Sequence, residues 1–226
     1  MIEDLLPDAV VAVERYGHDE PENATLYPEE AAIVVRAVAK RRREFAAVRA
    51  CARGAMEKLG VPPQPILPGE RGAPQWPVGL TGSMTHCDGY CAAALVRATD
   101  LASLGIDAEP HGPLPEGVLE SVSLPAERDR LRELAEAHPA VHWDRLLFSA
   151  KESVYKAWFP LTGKWLEFSE ADIRVLVEPG EPFSGTLHAE LLVPGPLVGG
   201  ARRGVFEGRW TVRDALVATS VTVPHG

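Results

Sequence analysis

Three short stretches of this sequence carry side chains that could do chemistry together. The first is Gly105-Ile106-Asp107-Ala108-Glu109. On a strand, residues two apart face the same way, so Asp107 and Glu109 project side by side while Ala108 points away. Two carboxylates about 4 Å apart repel by roughly 4 kcal/mol at an effective dielectric of about 20. Such a pair is tolerated when it is solvated, when one member is protonated, or when a hard cation sits between the two. Oxygen ligands suit Mg²⁺ or Ca²⁺, and Mg²⁺ takes few carboxylates and completes its shell with phosphate and water.

The second stretch runs from Phe148 to Trp158 and includes Lys151, Glu152 and Lys156. At about 100° per residue, Arg145, Ser149, Glu152 and Lys156 fall on one helical stripe. Glu152 and Lys156 can be read as an exposed pair four residues apart, worth roughly 0.3–0.5 kcal/mol. They can also be read as a metal ligand or base and its phosphate partner. The bulky flanks Phe148, Tyr155 and Trp158 imply a helix covered on both sides, where unpaired charges are costly.

The third is a basic run. Lys40-Arg41-Arg42-Arg43, then Arg49 and Arg53, put six cations into fourteen residues. Arg42, Arg49 and Arg53 share a helical sector of roughly 40°. Arg41 falls within the apolar stripe and needs either an anion or a route to solvent. Arginine forks match phosphate oxygens, so several converging on one phosphate make a plausible anion site. Between these stretches, Gly79 to Cys87 includes Ser83 without the flanking glycines of a hydrolase elbow. His86 leads into a predicted strand, where a loop residue could donate to a phosphate.

The elements that must position these groups follow from periodicity. A short strand is expected over Ala9–Val13, and one long helix from Pro28 to a stop at Gly60, carrying the stripe Val34, Val38, Phe45, Val48, Ala52, Ala55 and Leu59. Tyr90–Val96 and Leu104–Asp107 read as paired strands. The stretch from Pro110 to Gly117, rich in Pro and Gly, divides the chain almost in half. Beyond it, helices are expected over Pro125–His138, capped near Ser123, and over Trp143–Trp158. Strands are expected over Ile173–Val177, Leu187–Val193, Val205–Val212 and Leu216–Val223. Helices plus small, mostly antiparallel sheets in each half make this an α+β chain.

The 226 residues are 46% hydrophobic and 24% charged, which excludes disorder, collagen and a coiled coil. The longest apolar run, Tyr90–Val96, falls short of the roughly 20 residues that span a bilayer. With 23 basic and 32 acidic residues the net charge is −9, so a broad grip on nucleic acid is not expected. Three cysteines, Cys51, Cys87 and Cys91, fit a reducing compartment better than a disulfide framework. The acidic start, Met-Ile-Glu-Asp-Leu-Leu-Pro-Asp, has neither a basic nor an apolar leader, so a cytoplasmic location without membrane attachment is expected.

Together the motifs resemble the 4′-phosphopantetheinyl transferases. The family's patterns are approximately Ser-x-x-His, Gly-(Ile/Val)-Asp-x-Glu and (Phe/Trp)-x-x-Lys-Glu-(Ala/Ser)-x-x-Lys. They stand here as Ser83–His86, Gly105–Glu109 and Phe148–Lys156, in the family's order. The Arg-rich run, the Arg71-Gly72-Ala73-Pro74 turn and the segment from Trp158 to Trp165 extend the likeness over roughly Arg41 to Leu166. It is nearest to the single-chain type that serves polyketide and nonribosomal peptide synthetases.

The resemblance implies a monomer of two similar lobes related by a pseudo-twofold axis, residues 1–110 and 111–226, each a small antiparallel sheet with a long helix. Coenzyme A would lie between the lobes and donate its 4′-phosphopantetheine arm to a serine of an apo acyl or peptidyl carrier protein. Asp107, Glu109 and Glu152, with the Ala108 backbone, would hold Mg²⁺, and Lys156 would contact the pyrophosphate. Arg49, with Arg41, Arg53 and His86, would take the 3′-phosphate, with Thr85 beside it. Arg71 would contact the adenine side or a phosphate, and Leu166, near Trp165, would line the pantetheine channel. Glu152 is the candidate base. Two other functions use the same residues: a non-catalytic coenzyme A-binding module, and a Mg²⁺-dependent coenzyme A pyrophosphatase.

Overall fold

In the computed structural model, which describes residues 1–17 and 24–226, the first half of the chain builds a three-stranded antiparallel sheet. Its strands are β1 (Val11–Tyr16), β2 (Leu80–Cys87) and β3 (Tyr90–Arg97), in the spatial order β1-β3-β2. β3 is a nearly unbroken run of small apolar residues because both its faces are covered. Cys91, Ala93 and Leu95 pack with Val48, Ala52 and Met56 of the helix α2 (Ala39–Lys58). Ala92, Ala94 and Val96 face the opposite way, into a cluster with Leu104, Ile106 and Ala218.

The single helix expected from Pro28 to Gly60 is two helices. α1 (Pro28–Ile33) stops where the β-branched run Ile33-Val34-Val35 begins, and the chain is fully extended at Val38 (ψ 156°) before α2. Val34 is buried, but Val38 is 73% exposed, so no packing holds the upstream part of the stripe in a helix. Arg42 donates to the Ala37 carbonyl at 2.9 Å, inside the break. The stretch 79–87 is not a loop but the strand β2, and the short N-terminal strand lies two to three residues further on than expected.

Tyr90–Val96 and Leu104–Asp107 do not pair. The second run belongs to β4 (Ser103–Pro110), whose ladder partner is β10 (Leu216–Val223), with Asp107 opposite Thr219. β4 is the edge of a five-stranded antiparallel sheet ordered β4-β10-β9-β6-β5, with β5 (Ala171–Glu178), β6 (Glu181–Leu191) and β9 (Val205–Arg213). The expected division at residue 110 therefore falls at the end of a strand that is hydrogen-bonded to the second half. A two-residue pair, β7 (Leu197–Val198) with β8 (Ala201–Arg202), completes the strands among the described residues.

Three helices belong to this half: α3 (Val118–Val122), α4 (Pro125–Ala137) and α5 (Trp143–Thr162). α4 is not capped by Ser123, whose hydroxyl donates back to Leu119. Glu127 reaches back to the Leu124 N–H at 2.7 Å instead. α5 packs Leu146, Leu147, Ala150 and Val154 against Trp210 and Val217 of the large sheet. The fold is thus α+β with antiparallel sheets.

The two sheets meet at their edges, β2 against β4, without a main-chain ladder among the described residues. Side chains close the gap. Ser83 Oγ accepts from the Ile106 N–H at 3.0 Å and Thr85 Oγ1 accepts from the Ala108 N–H at 3.1 Å. Both hydroxyls are buried, so the β4 amides are satisfied where no strand pairs with them.

Candidate active site

The site begins at Gly105. A Cβ there would lie 2.0 Å from the Ser153 carbonyl oxygen, so only glycine lets α5 cross β4 at this point. Ser149 and Ser153, both wholly buried, meet the Thr219 hydroxyl at 2.9 and 2.7 Å and tie the same helix face to β10. With the helix held that close, Lys156 Nζ donates to the Ile106 carbonyl at 3.0 Å and to Asp107 Oδ1 at 2.7 Å.

Asp107 is buried, at 4% exposure. Oδ1 also accepts from the Thr85 hydroxyl at 3.2 Å, whereas Oδ2 is buried with no hydrogen-bond partner. Glu109, half-buried, is paired with Arg145 Nη1 at 3.0 Å, and Arg145 also donates to the Gly112 and Pro113 carbonyls. Glu152, half-buried, makes no hydrogen bond or ion pair with the described residues. Burial, followed by the Asp107 charge, raises the Glu109 carboxyl above its usual range. Glu152 is likewise raised by burial, with Lys156 opposing and Asp107 adding to the shift.

Of the three carboxylates expected to hold a metal ion, Glu109 and Glu152 each feel the Asp107 charge, but the three are not gathered. Among the described residues no three His, Cys, Asp or Glu groups form a ligand cluster. The donor set nevertheless suits a hard cation. Among the described residues it offers an orphaned buried oxygen on Asp107 and a carboxylate on Glu152 without a hydrogen-bond partner, and burial raises both Glu carboxyls although Arg145 pairs with Glu109. Ala108 is wholly buried between them, with its N–H on Thr85.

Glu152 and Lys156 border a cavity of about 630 Å³, and its walls also include Arg41, Arg49, Arg71 and His86. One cavity thus joins the group Arg41, Arg49 and His86 to Lys156. Arg41, exposed at the start of α2, contacts His86 Nε2 directly. Burial, then the Arg41 charge, pushes the His86 imidazole below its ordinary pKa, so it meets Arg41 as a neutral acceptor. Arg49 is buried and lies over the Phe45 ring. Arg71 takes a left-handed backbone (φ 53°) and stacks on Trp165, with its guanidinium carbon 5.4 Å from the ring centre.

Two expectations change. Arg53 is not on the cavity wall: it is buried, bonded to Glu30 at 3.1 Å and to the Thr25 carbonyl at 3.0 Å. Thr85 does line the cavity, but its hydroxyl is committed to Asp107 and Ala108. Leu166 borders a smaller cavity of about 100 Å³ with Glu152, Tyr155 and Trp165. Lys151, beside Glu152 in sequence, points away into a buried ion pair with Glu127 at 2.8 Å. Glu30, Arg145, Ser149, Ser153 and Thr219 were not singled out as a framework in the sequence. The helical stripe shared with Glu152 and Lys156 pointed only to Arg145 and Ser149.

Comparison with known proteins identifies the family. Residues 29–96 match the model of the 4′-phosphopantetheinyl transferase N-terminal domain, and residues 103–192 match that of the 4′-phosphopantetheinyl transferase superfamily. The chain is 58% identical over 225 residues to the 4′-phosphopantetheinyl transferase Svp of Streptomyces mobaraensis, covering 99% of this chain and 89% of that one. It is 50% identical over 224 residues to Npt of Nocardia iowensis, covering 98% and 99%. It is 45% identical over 225 residues to PptT of Mycobacterium tuberculosis, covering 99% and 98%. Both are also named 4′-phosphopantetheinyl transferases. The chain belongs to the 4′-phosphopantetheinyl transferase superfamily and is a transferase of the 4′-phosphopantetheinyl group.

Proposed function

We propose that the 630 Å³ cavity binds coenzyme A and that the enzyme moves its 4′-phosphopantetheine arm onto a serine of an apo acyl or peptidyl carrier protein. Adenosine 3′,5′-bisphosphate is the other product. The observation that carries this reading is the lining of one cavity by two separate anion sites. Arg41, Arg49 and His86 suit the 3′-phosphate, and Lys156 beside Asp107 suits the pyrophosphate. Arg71 contributes from the adenine side, and Leu166 and Trp165 flank the pantetheine arm.

In the transfer, the serine oxygen forms a bond to the phosphorus that carries pantetheine. The bond from that phosphorus to the bridging oxygen breaks, and the electron pair leaves with the bisphosphate. Glu152, on the cavity wall and without a hydrogen-bond partner among the described residues, accepts the serine proton, directly or through a water. Lys156, fixed by Ile106 and Asp107, neutralises charge on the departing oxygen. Asp107, Glu109 and Glu152, with the Ala108 backbone, would hold Mg²⁺, and Lewis-acid neutralisation of the pyrophosphate is what that ion supplies when bound. Arg53 acts from behind the wall.

The same reading makes the protein a cytoplasmic monomer with pseudo-twofold lobes. In support, each half lays a 20-residue helix, α2 or α5, on an antiparallel sheet. Among the described residues no helix is long and apolar enough to cross a membrane. The test is the intact mass of an apo carrier protein after incubation with this protein, coenzyme A and Mg²⁺. A gain of about 340 Da that disappears with EDTA is expected. Carrier-independent release of the bisphosphate would make the protein a pyrophosphatase, and binding without release a coenzyme A-binding module.

A further inference from the structure

We propose that Glu30 is the positioning residue of the donor's 3′-phosphate site, holding Arg49 with one edge of its guanidinium bound inside the protein and the other left for the ligand. This rests on the reading that Arg49 takes that phosphate. In sequence, Glu30 is only an acidic residue in the first turn of a helix. In the structure it is wholly buried, although a lone buried carboxylate is among the costliest groups to place in a protein.

Its two oxygens join three segments. Oε1 accepts from the Ile66 N–H at 2.9 Å and Oε2 from the Tyr27 N–H at 3.0 Å. Arg53 Nη1 lies 3.1 Å from Oε2, and Arg49 Nε lies 3.7 Å from Oε1. Arg49 Nε also donates to the Ile66 carbonyl at 3.0 Å, and its Nη1 reaches the Phe45 carbonyl at 3.4 Å. Among the described residues no hydrogen bond engages Nη2, and Arg49 is on the cavity wall where Arg53 is not.

The charges explain why one carboxylate is shared this way. Arg53 alone would balance Glu30, yet two buried guanidinium groups face it, leaving one positive charge in excess at the inner wall among the described residues. A buried excess charge is costly until an opposite charge joins it, and an arginine edge on a cavity is the place for a phosphate. Burial pulls the Arg49 pKa down to about 10, and Glu30 is the neighbour that opposes this. Removing the carboxylate's charge would set Arg49 and Arg53 against each other and free Arg49 to turn from its place.

The experiment compares Glu30→Gln with wild type in the Mg²⁺-dependent transfer to an apo carrier, using coenzyme A and dephospho-coenzyme A, which lacks only the 3′-phosphate. Wild type should favour coenzyme A. In Glu30→Gln the KM for coenzyme A should rise by about tenfold with kcat within about twofold, the pattern of lost uniform binding. The KM for dephospho-coenzyme A should stay within about twofold of wild type, which a general structural defect would not allow. An equal rise for both donors, or no rise for coenzyme A, would overturn the assignment while leaving the 3′-phosphate reading intact. A wild type indifferent to the 3′-phosphate would overturn that reading and the role of Glu30 with it. If Glu30→Gln does not fold, Glu30→Asp serves instead. It keeps the charge but withdraws it by one methylene, and the same donor-selective rise is expected.

Discussion

At the scale of single residues, the site separates side chains that bind from side chains that hold others still. Lys156 and Asp107 form one unit at 2.7 Å, while Glu152, four residues from Lys156 on the helix, keeps on the cavity wall a carboxylate with no hydrogen-bond partner among the described residues. Glu152→Gln keeps the size and removes both the proposed base and a proposed ligand charge. Turnover should fall by at least about 10²-fold, while the dissociation constant of coenzyme A, measured by calorimetry, stays within about tenfold. Retained turnover would remove Glu152 from the chemistry. The four-residue spacing made this pair visible in the sequence, because helical geometry is local. The fates of Thr85 and Arg53 were not visible. Each depends on which strand or helix arrives beside it, Asp107 in one case and Glu30 in the other, and both partners are distant in the chain. Lys151 shows the same limit: adjacent to Glu152 in a motif, it is turned about 100° round α5 and is held in an ion pair with Glu127 of α4.

At the scale of elements, the position of α5 against β4 and β10 decides whether Lys156 reaches Asp107. Gly105 sets that distance, since a methyl group there would meet backbone, Ser153 O at 2.0 Å and Ala157 N at 2.8 Å, rather than a side chain able to turn away. Gly105→Ala should therefore cost stability by overpacking, about 1–3 kcal/mol or somewhat more, and push α5 outward. Because the same displacement separates Lys156 from Asp107, kcat/KM should fall by more than about tenfold even at temperatures where the variant is fully folded. Denaturant melts alongside steady-state rates would check this, and full activity in a destabilised variant would show that the helix position does not govern the lysine. The strongly periodic elements were well read from sequence: β10 matches its expected span, and α5 differs only by a longer C-terminal end. The misread elements share a cause. The break between α1 and α2 lies inside a continuous apolar periodicity, so pattern alone could not reveal that Val38 has nothing to pack against. β2 is spelled Leu-Thr-Gly-Ser-Met-Thr-His-Cys, whose small polar residues read as loop until β4 supplies the amides they bond.

At the scale of the whole molecule, the residues proposed to act in catalysis sit along the line where two sheets meet edge to edge. A main-chain ladder between β2 and β4 would make one continuous sheet, but two buried hydroxyls join the edges instead. Thr85 links this join to the site because the same hydroxyl that accepts from Ala108 donates to Asp107. Ser83 accepts from Ile106 and makes no hydrogen bond to a carboxylate among the described residues. The two positions therefore separate the stability of the join from its role in holding the site. Ser83→Ala and Thr85→Val each strand one buried β4 N–H, at a cost of about 1–3 kcal/mol, and urea melts should register similar losses for both. Only Thr85→Val also removes a hydrogen bond from Asp107, which already carries one orphaned oxygen. Its kcat/KM should fall by a further factor of about ten beyond Ser83→Ala under conditions where both are folded. Because the two sites are close neighbours, the double variant should not lose the simple sum of the single losses. Unchanged stability in both single variants would mean that the apolar cluster of Ala92, Ala94, Leu104 and Ile106 alone holds the sheets together. Equal losses of activity would instead place Asp107 under the control of Lys156 alone.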